Sequence, residues 1–441
     1  MGCLRAEREE GAEEEVENLF LSDMLAEIIS TVAGYLVRLE GRKFLQLEES
    51  DLLDLHEQTS RMSIPALYIH IPFCRKPCSY CSFNRYELDE ELARRYFKNL
   101  KREVGFYLER GLEFNNVYIG GGTPTVMMDE LTCLIEYLHK NLQIEAISLE
   151  TNPDDVTVEN ISILKGLNVK RLSMGVQSFN DDLLRDIGRM SHTGREAVRG
   201  AEMAQGEFDT FNVDMLYNLP TQTLAMFRRD VETALNLGVD QITFYPLMPA
   251  KGRRVDIEKS VGKIDFVRER AFFEYVVDRM LESGYKPSTC WCFSRGEQMI
   301  DEYIIDCAEY IAVGSGSVGL FNGTFYVNSF LPGKYCEMVE SGKLPVVMYR
   351  ELSRHEVAYY HLLTYLFGMG ILDNRRRISE EVSILDDMKG EIGLLKLLGV
   401  VDSVDGEVRV KRDGMYLISV MMREFFTALN DLRYYCRTEG L

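Results

Sequence analysis

The stretch Ala66-Leu-Tyr-Ile-His-Ile-Pro-Phe-Cys-Arg-Lys-Pro-Cys-Ser-Tyr-Cys81 decides the fold. It begins with a short apolar run, Ala66 to Ile71, of strand rather than helix length. Three cysteines follow within eight residues: Cys74, Cys78 and Cys81. Downstream, short apolar runs keep alternating with longer amphipathic stretches. The pattern predicts further strands at Asn116 to Ile119, Ala146 to Glu150, Lys170 to Val176, Phe211 to Leu216 and Gln241 to Leu247. Helices are expected around 88–110, 127–140, 155–166, 180–205 and 223–237, with another near 264–283. Six strand–helix repeats argue for an α/β fold with a parallel sheet and helices outside it. Right-handed crossovers would curl that sheet into a partial (β/α)6 barrel.

Working groups in such a fold gather at the C-terminal ends of the strands. Cys74 follows the first strand and Gly120-Gly-Gly-Thr-Pro-Thr125 the second; Glu150 ends the third, Gln177 ends the fourth, and Asp214 lies in the fifth. The domain reading is a helical lead-in at 1–62, the barrel at 63–285, a glycine-rich closing segment at 286–340, and a mostly helical, winged-helix-like domain at 341–441. A hairpin is expected from Val400 to Val410 around Asp405-Gly406.

The 441 residues are 46% hydrophobic and 27% charged, with a net charge of −20. That balance argues against a nucleic-acid binder working through a basic surface. Arg5, Glu7, Arg8, Glu9 and Glu10 stand where a secretory signal needs an apolar core. Met24 to Val37 is too short to span a bilayer and carries Glu27, so no transmembrane segment is expected. Leu21, Leu25, Ile28, Ile29, Val32 and Leu36 fall on one helical face, expected to pack on the protein or a partner. A cytoplasmic setting with reduced thiols follows, and ten cysteines without a signal peptide suggest metal binding.

A C-x3-C-x2-C triad can grip three irons of a [4Fe–4S] cubane and leave the fourth open to an exchangeable ligand. The amino and carboxylate groups of S-adenosylmethionine suit that position. On spacing alone a zinc site stays open, with His70 as its fourth ligand.

Tyr68-Ile-His-Ile-Pro-Phe-Cys74 and Pro77-Cys-Ser-Tyr-Cys-Ser-Phe83 closely resemble the opening of the radical S-adenosylmethionine (radical SAM) enzymes related to oxygen-independent coproporphyrinogen III oxidase. Gly120 to Thr125, Glu150-Thr-Asn-Pro-Asp154, Arg171-Leu-Ser-Met-Gly-Val-Gln-Ser178, Gly188-Arg189, His192-Thr193 and Asp214-Met-Leu-Tyr-Asn-Leu-Pro220 continue the likeness in order. The resemblance covers about 66–250 strongly and 285–440 loosely. It implies that Cys74, Cys78 and Cys81 hold the cluster, with Tyr68 beside it and Tyr80 near the nucleoside. It also implies that Gly121, Gly122 and Thr123 approach the methionine part of S-adenosylmethionine. Glu150, Gln177, Arg189 and Asp214 match positions that bind one or two S-adenosylmethionine molecules.

Phe83 stands where the oxidases of this family carry a fourth cysteine, as it does in the relatives that include the haem chaperone and radical methyltransferases. The chaperone's His-Asn…Tyr-Trp signature is absent; Cys290-Trp-Cys-Phe-Ser-Arg295 and Asp301-Glu-Tyr303 occupy that region. The expectation is a radical SAM oxidoreductase or methyltransferase acting on a tetrapyrrole or other planar hydrophobic substrate, in porphyrin biosynthesis. It would draw electrons from a ferredoxin or flavodoxin. The alternative is a haem- or porphyrin-binding chaperone of the same family. Gly314-Ser-Gly-Ser-Val-Gly319 is read as a segment that closes over cofactor or substrate, and Cys290 and Cys292 as buried core residues.

Overall fold

The computed structural model describes residues 32, 34–41, 45–49, 64–250, 252, 254–255, 258–259, 262–263, 265–296, 309–372, 378 and 382–441. The strands and helices fall close to where the sequence periodicity puts them. After β1 (Glu48–Glu49), the chain enters β2 (Ala66–Ile71), whose six residues are all buried. The two-residue strands β3 (Phe73–Cys74) and β4 (Tyr86–Glu87) pair with each other and pin the base of the cysteine loop. Then come α1 (Glu90–Glu109), β5 (Asn116–Gly121), α2 (Met128–Asn141), β6 (Ala146–Thr151), α3 (Val158–Gly166) and β7 (Arg171–Gln177). The alternation continues with α4 (Asp181–Asp186), α5 (Gly194–Ala204), β8 (Thr210–Tyr217), α6 (Leu224–Leu237), β9 (Gln241–Pro246) and α7 (Glu269–Glu282).

Adjacent strands from β2 through β5, β6, β7 and β8 to β9 pair in parallel. Both faces of these strands are covered, which is why they read as continuous apolar runs rather than alternating ones. Helix α1 shows the complementary logic. Asp89 caps it by accepting from the Leu92 amide, and Ala93, Tyr96, Phe97, Leu100, Val104 and Tyr107 bury one stripe at helical spacing.

Three local readings differ from the sequence expectation. The single helix expected over 180–205 is two helices, α4 and α5. Gly188, at φ +69, ends the first, and a reciprocal Thr193–Glu196 capping box starts the second. The six-stranded parallel array gains a seventh member on its first edge, β12 (Tyr310–Val313), parallel to β2. Its neighbours β13 (Val318–Phe321), β14 (Thr324–Asn328) and β15 (Val346–Glu351) extend the sheet antiparallel to one another, and β1 closes that edge on β15. At the other edge β11 (Cys292–Ser294) lies antiparallel to β9, with β10 (Lys286–Pro287) outside it.

The third difference concerns the N-terminal helical face. Val32 and Leu36 are each 52% exposed, whereas Gly34, Val37 and Gly41 are buried. Cβ atoms added at Gly34 and Gly41 would lie 3.1 Å from Val420 and 3.4 Å from Ala428, so the glycines permit the close approach. Leu21, Leu25, Ile28 and Ile29 lie outside the described residues.

The C-terminal part adds α8 (Pro332–Glu340), α9 (Arg354–Phe367), α10 (Ile384–Asp387), α11 (Lys389–Leu397), the hairpin β16 (Val401–Val404) and β17 (Glu407–Val410), and α12 (Met415–Glu439). Helix α12 runs across the other elements. Trp291 donates to Ser419, Arg423 pairs with Glu269 and Glu424, and Asn430 donates to the Met248 carbonyl. Cys290 and Cys292 are fully buried, with the Cys290 thiol 3.8 Å from the Met369 sulfur. Among the described residues no helix is long and apolar enough to cross a membrane.

Candidate cofactor site

Cys74, Cys78 and Cys81 sit on one loop at the C-terminal end of β2, all half-buried. They face a small pocket of about 60 Å³, whose wall includes Gly122, Thr123, Asn152 and Arg189. Among the described residues no three His, Cys, Asp or Glu groups converge on a point that would suit one metal ion. Thiolates spread over separate irons of a cubane need no such convergence.

His70 settles the zinc alternative. Its Nε2 lies 2.8 Å from the carbonyl oxygen of Asn84, which can only accept, so Nε2 carries the proton. Its Nδ1 therefore accepts from the Tyr68 hydroxyl, also at 2.8 Å. Burial pushes the ring down to about 4, so it is neutral. With both nitrogens engaged, His70 is a brace and not a ligand. Asn84 in turn donates to the carbonyls of Ser315 and Phe330. The glycine-rich turn around Gly314 is therefore packed beneath the cysteine loop. Cβ atoms would lie 2.5 Å from the His70 carbonyl at Gly314 and 2.3 Å from the Asn84 amide at Gly316. The turn supports the loop from within the core, which corrects its reading as a closing segment. Buried Glu103 holds it, accepting from the Gly314 amide, Asn328 and Tyr335 at 2.8, 2.9 and 2.6 Å.

The glycine run is shaped by contact. Gly121 has φ +122, and a Cβ there would meet the His70 ring at 2.8 Å. At Gly122 a Cβ would lie 2.6 Å from the Phe73 carbonyl oxygen and 3.0 Å from the Cys74 sulfur. Thr123 donates to that sulfur over 3.6 Å. Burial pushes the Cys74 thiol up to about 12, with Thr123 acting in the opposite sense. Glu150 accepts from the Gly121 amide at 2.9 Å and from Tyr118 at 2.6 Å, so it fixes the glycine backbone from behind.

Arg189 gathers the far wall. It is buried in the break between α4 and α5, where it donates to the Cys78 sulfur at 3.6 Å and to Asn152 at 2.9 Å. It also reaches the Tyr80 hydroxyl at 3.4 Å and the Gly175 carbonyl. Burial opposes its charge, and the guanidinium stays protonated, donating to Tyr80 and Cys78. Burial holds the Tyr80 phenol well above the usual tyrosine range. A Cβ on Gly175 would sit 3.1 Å from both Arg189 and the Gln177 amide nitrogen, and Asp214 lies opposite Gly175 across the β7–β8 pair. Gln177 itself is held at φ +73 beside a register shift in those strands. Asp214 accepts from Ser173 and Asn212 at 2.8 and 2.7 Å.

The structure thus brings the cysteines, Gly122, Thr123, Arg189 and Tyr80 around one pocket, whereas Gln177 and Asp214 lie beside Gly175 on β7 and β8 and do not line it. Tyr68 and Glu150 stand one layer behind, holding His70 and Gly121. Two contributors escaped the sequence reading. Asn152 joins Arg189 to Thr123, donating to the latter at 2.8 Å, and sits inside the Glu150–Asp154 stretch that could have flagged it. Buried Arg85 donates to the Cys78 carbonyl from the loop's other side, and only its closeness to the cysteines would have signalled it.

Residues 68–234 match the family model of the radical SAM superfamily. The heme chaperone HemW of Bacillus subtilis is 30% identical over 303 residues, spanning 66% of this chain and 78% of that protein. The chain belongs to the HemN/HemW-like radical SAM family. HemW of Lactococcus lactis is 31% identical over 273 residues, covering 59% of this chain and 71% of its own length. Coproporphyrinogen III oxidase (HemN) from Escherichia coli shares the fold, with a TM-score of 0.70 at 21% identity over 82% of this chain and 90% of that one. Membership in this radical SAM family brings a [4Fe–4S] cluster and S-adenosylmethionine as cofactors. The chain fits them: three thiols on one loop, a glycine cradle that a Cβ would fill, and a buried arginine with Nε unpartnered among the described residues.

Proposed function

We propose that this protein binds a tetrapyrrole, haem or porphyrin, as a carrier that retains a working radical SAM centre. The observation that carries this reading is that relatives aligned with two-thirds of the chain are named heme chaperones. Phe83, 45% exposed beneath the Arg433 guanidinium at 4.9 Å, counts against the oxidase alone, which has a fourth cysteine there. The named relatives favour the carrier over the oxidase or methyltransferase reading drawn from the sequence.

In this reading Cys74, Cys78 and Cys81 hold the cluster, and Gly121, Gly122 and Thr123 cradle the methionine moiety. Arg189 sits beside the Cys78 sulfur and offers a fixed cation to a carboxylate; Tyr80 lies against the nucleoside. Gln177 and Asp214 supply polar groups for the ribose or amine. Glu150 and Tyr68 act through Gly121 and His70 rather than by touch. When bound, the cluster and S-adenosylmethionine supply reductive cleavage to a 5′-deoxyadenosyl radical.

A second reading, an enzyme that decarboxylates or methylates a tetrapyrrole with electrons from a ferredoxin or flavodoxin, is favoured by the intact wall around Arg189. One experiment separates the two. The full chain, reconstituted anaerobically with iron and sulfide, is given S-adenosylmethionine, dithionite and haem or coproporphyrinogen III. Stoichiometric haem binding with no altered tetrapyrrole supports the carrier. A modified tetrapyrrole formed alongside 5′-deoxyadenosine makes it an enzyme and overturns the carrier reading.

A further inference from the structure

The cysteine loop has a second side. Behind it, between the loop and the last turns of α12, lies an open cavity of about 570 Å³. Small-molecule sites run to about 300–1,000 Å³, so the space is of a size for a ring system. Arg85, Tyr86 and Glu87 line it from the loop, and Asn430, Tyr434 and Arg437 from the helix.

Two features mark it as built for an anion on a flat body. Arg85 is only 6% exposed and borders both this cavity and the cofactor pocket. Its single hydrogen bond goes to the Cys78 carbonyl, and its Nε has no partner among the described residues. The Nε is sealed from solvent, but a guanidinium bonded to one carbonyl keeps other N–H groups for a carboxylate where it borders the cavity. Across the cavity the Arg437 guanidinium lies 5.3 Å from the Tyr86 ring centroid, and Tyr434 stands partly exposed beside it. Among the described residues Glu87 is the one carboxylate on the wall, against two arginines, in a chain whose net charge is −20. Local positive charge within so acidic a protein selects for an anionic ligand.

We propose that this cavity holds a planar, carboxylate-bearing ring. Its acid groups meet Arg85 and Arg437, and its faces lie against Tyr86 and Tyr434. The inference rests on the tetrapyrrole reading above and gives that ligand a place: on the outer side of the cysteine loop, next to the cluster's surroundings at Cys78 and Arg85. The Cys290-Trp-Cys292 segment, by contrast, offers no surface for a ligand, being wholly buried.

The test uses the full chain with its cluster reconstituted and S-adenosylmethionine present. Deuteroporphyrin IX, with two carboxylates, and its dimethyl ester are titrated by fluorescence. Arg437→Gln and Tyr434→Ala, both on outer turns of the last helix, are compared with the parent. The diacid is expected to bind the parent about tenfold more tightly than the ester. Arg437→Gln should abolish most of that preference, and Tyr434→Ala should weaken both ligands. If the parent binds but does not distinguish acid from ester, or Arg437→Gln leaves the preference intact, the ring sits elsewhere and this proposal falls while the tetrapyrrole reading stands. If neither porphyrin binds the parent, the tetrapyrrole reading falls and the proposal with it.

Discussion

Fourteen residues apart in the chain, the ring of His70 and the carbonyl of Asn84 meet at 2.8 Å and clamp the two ends of the cysteine loop together. The clamp continues through Asn84 to the Ser315 and Phe330 carbonyls. His70→Ala removes the donor to the buried Asn84 carbonyl, a cost of about 1–3 kcal/mol. Iron loading should fall together with the urea midpoint. Full iron loading in a destabilised variant would show that the loop keeps its shape unaided.

Acidification should act on the same clamp. His70 ionises near 6.5 in the unfolded chain and at about 4 when folded. As pH falls from 6.5 towards 4, the unfolded chain takes up a proton that the folded protein refuses, so stability is lost over that window. Urea midpoints measured from pH 7 to 4.5 should show a steeper fall for the parent than for His70→Gln.

Glu103 gives the opposite sign. Burial lifts its carboxyl to about 7, against donors from Tyr335, Gly314 and Asn328, whereas the unfolded group titrates at 4.5. Between these values the folded protein holds a proton the unfolded chain has released. Its contribution is full below 4.5 and disappears as pH rises through 7. Glu103→Gln should flatten the pH dependence of stability in that window by up to one proton, read from denaturation at fixed pH steps. An unchanged slope would place the titration on another group.

Gly122→Ala tests the cradle without touching a side chain. The new methyl would lie 2.6 Å from the Phe73 carbonyl oxygen and 3.0 Å from the Cys74 sulfur, so the loop must shift. Iron content after reconstitution should drop severalfold, with far-ultraviolet circular dichroism unchanged. Gly333→Ala, which meets nothing within 4 Å, is the control and should load normally.

Arg423 is buried between Glu269 and Glu424, and Glu424 also receives Arg38. Replacing it by Met strands buried carboxylates, for which a loss of about 3–5 kcal/mol is expected. Thermal denaturation at neutral pH measures it. A change under 1 kcal/mol, on the order of an exposed pair's worth, would mean that water already reaches these groups.

Much of this was legible in the residues. Strands buried on both faces cannot hide their apolar runs, so β2 and β5 through β9 were readable to within a residue or two. The cysteines and Gly122 share a pocket because strand ends converge, and strand order carries that information. The break at Ile187–Thr193 was obscured because its apolar spacing continues across it; Gly188 and the Thr193–Glu196 pair were its only marks. Strand β12 is four residues long, too short for periodicity to distinguish it from a turn. The outward Val32 and Leu36 show that helical hydrophobicity can mislead where Gly34 and Gly41 decide the contact.

Strand β2 takes one neighbour, β5, from residues 116–121 and the other, β12, from residues 310–313. A ribosome that has delivered the first 285 residues has therefore made a half-sheet in which β2, the strand that leads into the cysteine loop, is still an open edge. Asn84 then also lacks Ser315 and Phe330, its anchors. Loading of iron onto a settled loop belongs after most of the chain has been synthesised, and the growing protein must be kept from pairing that edge with another copy until then.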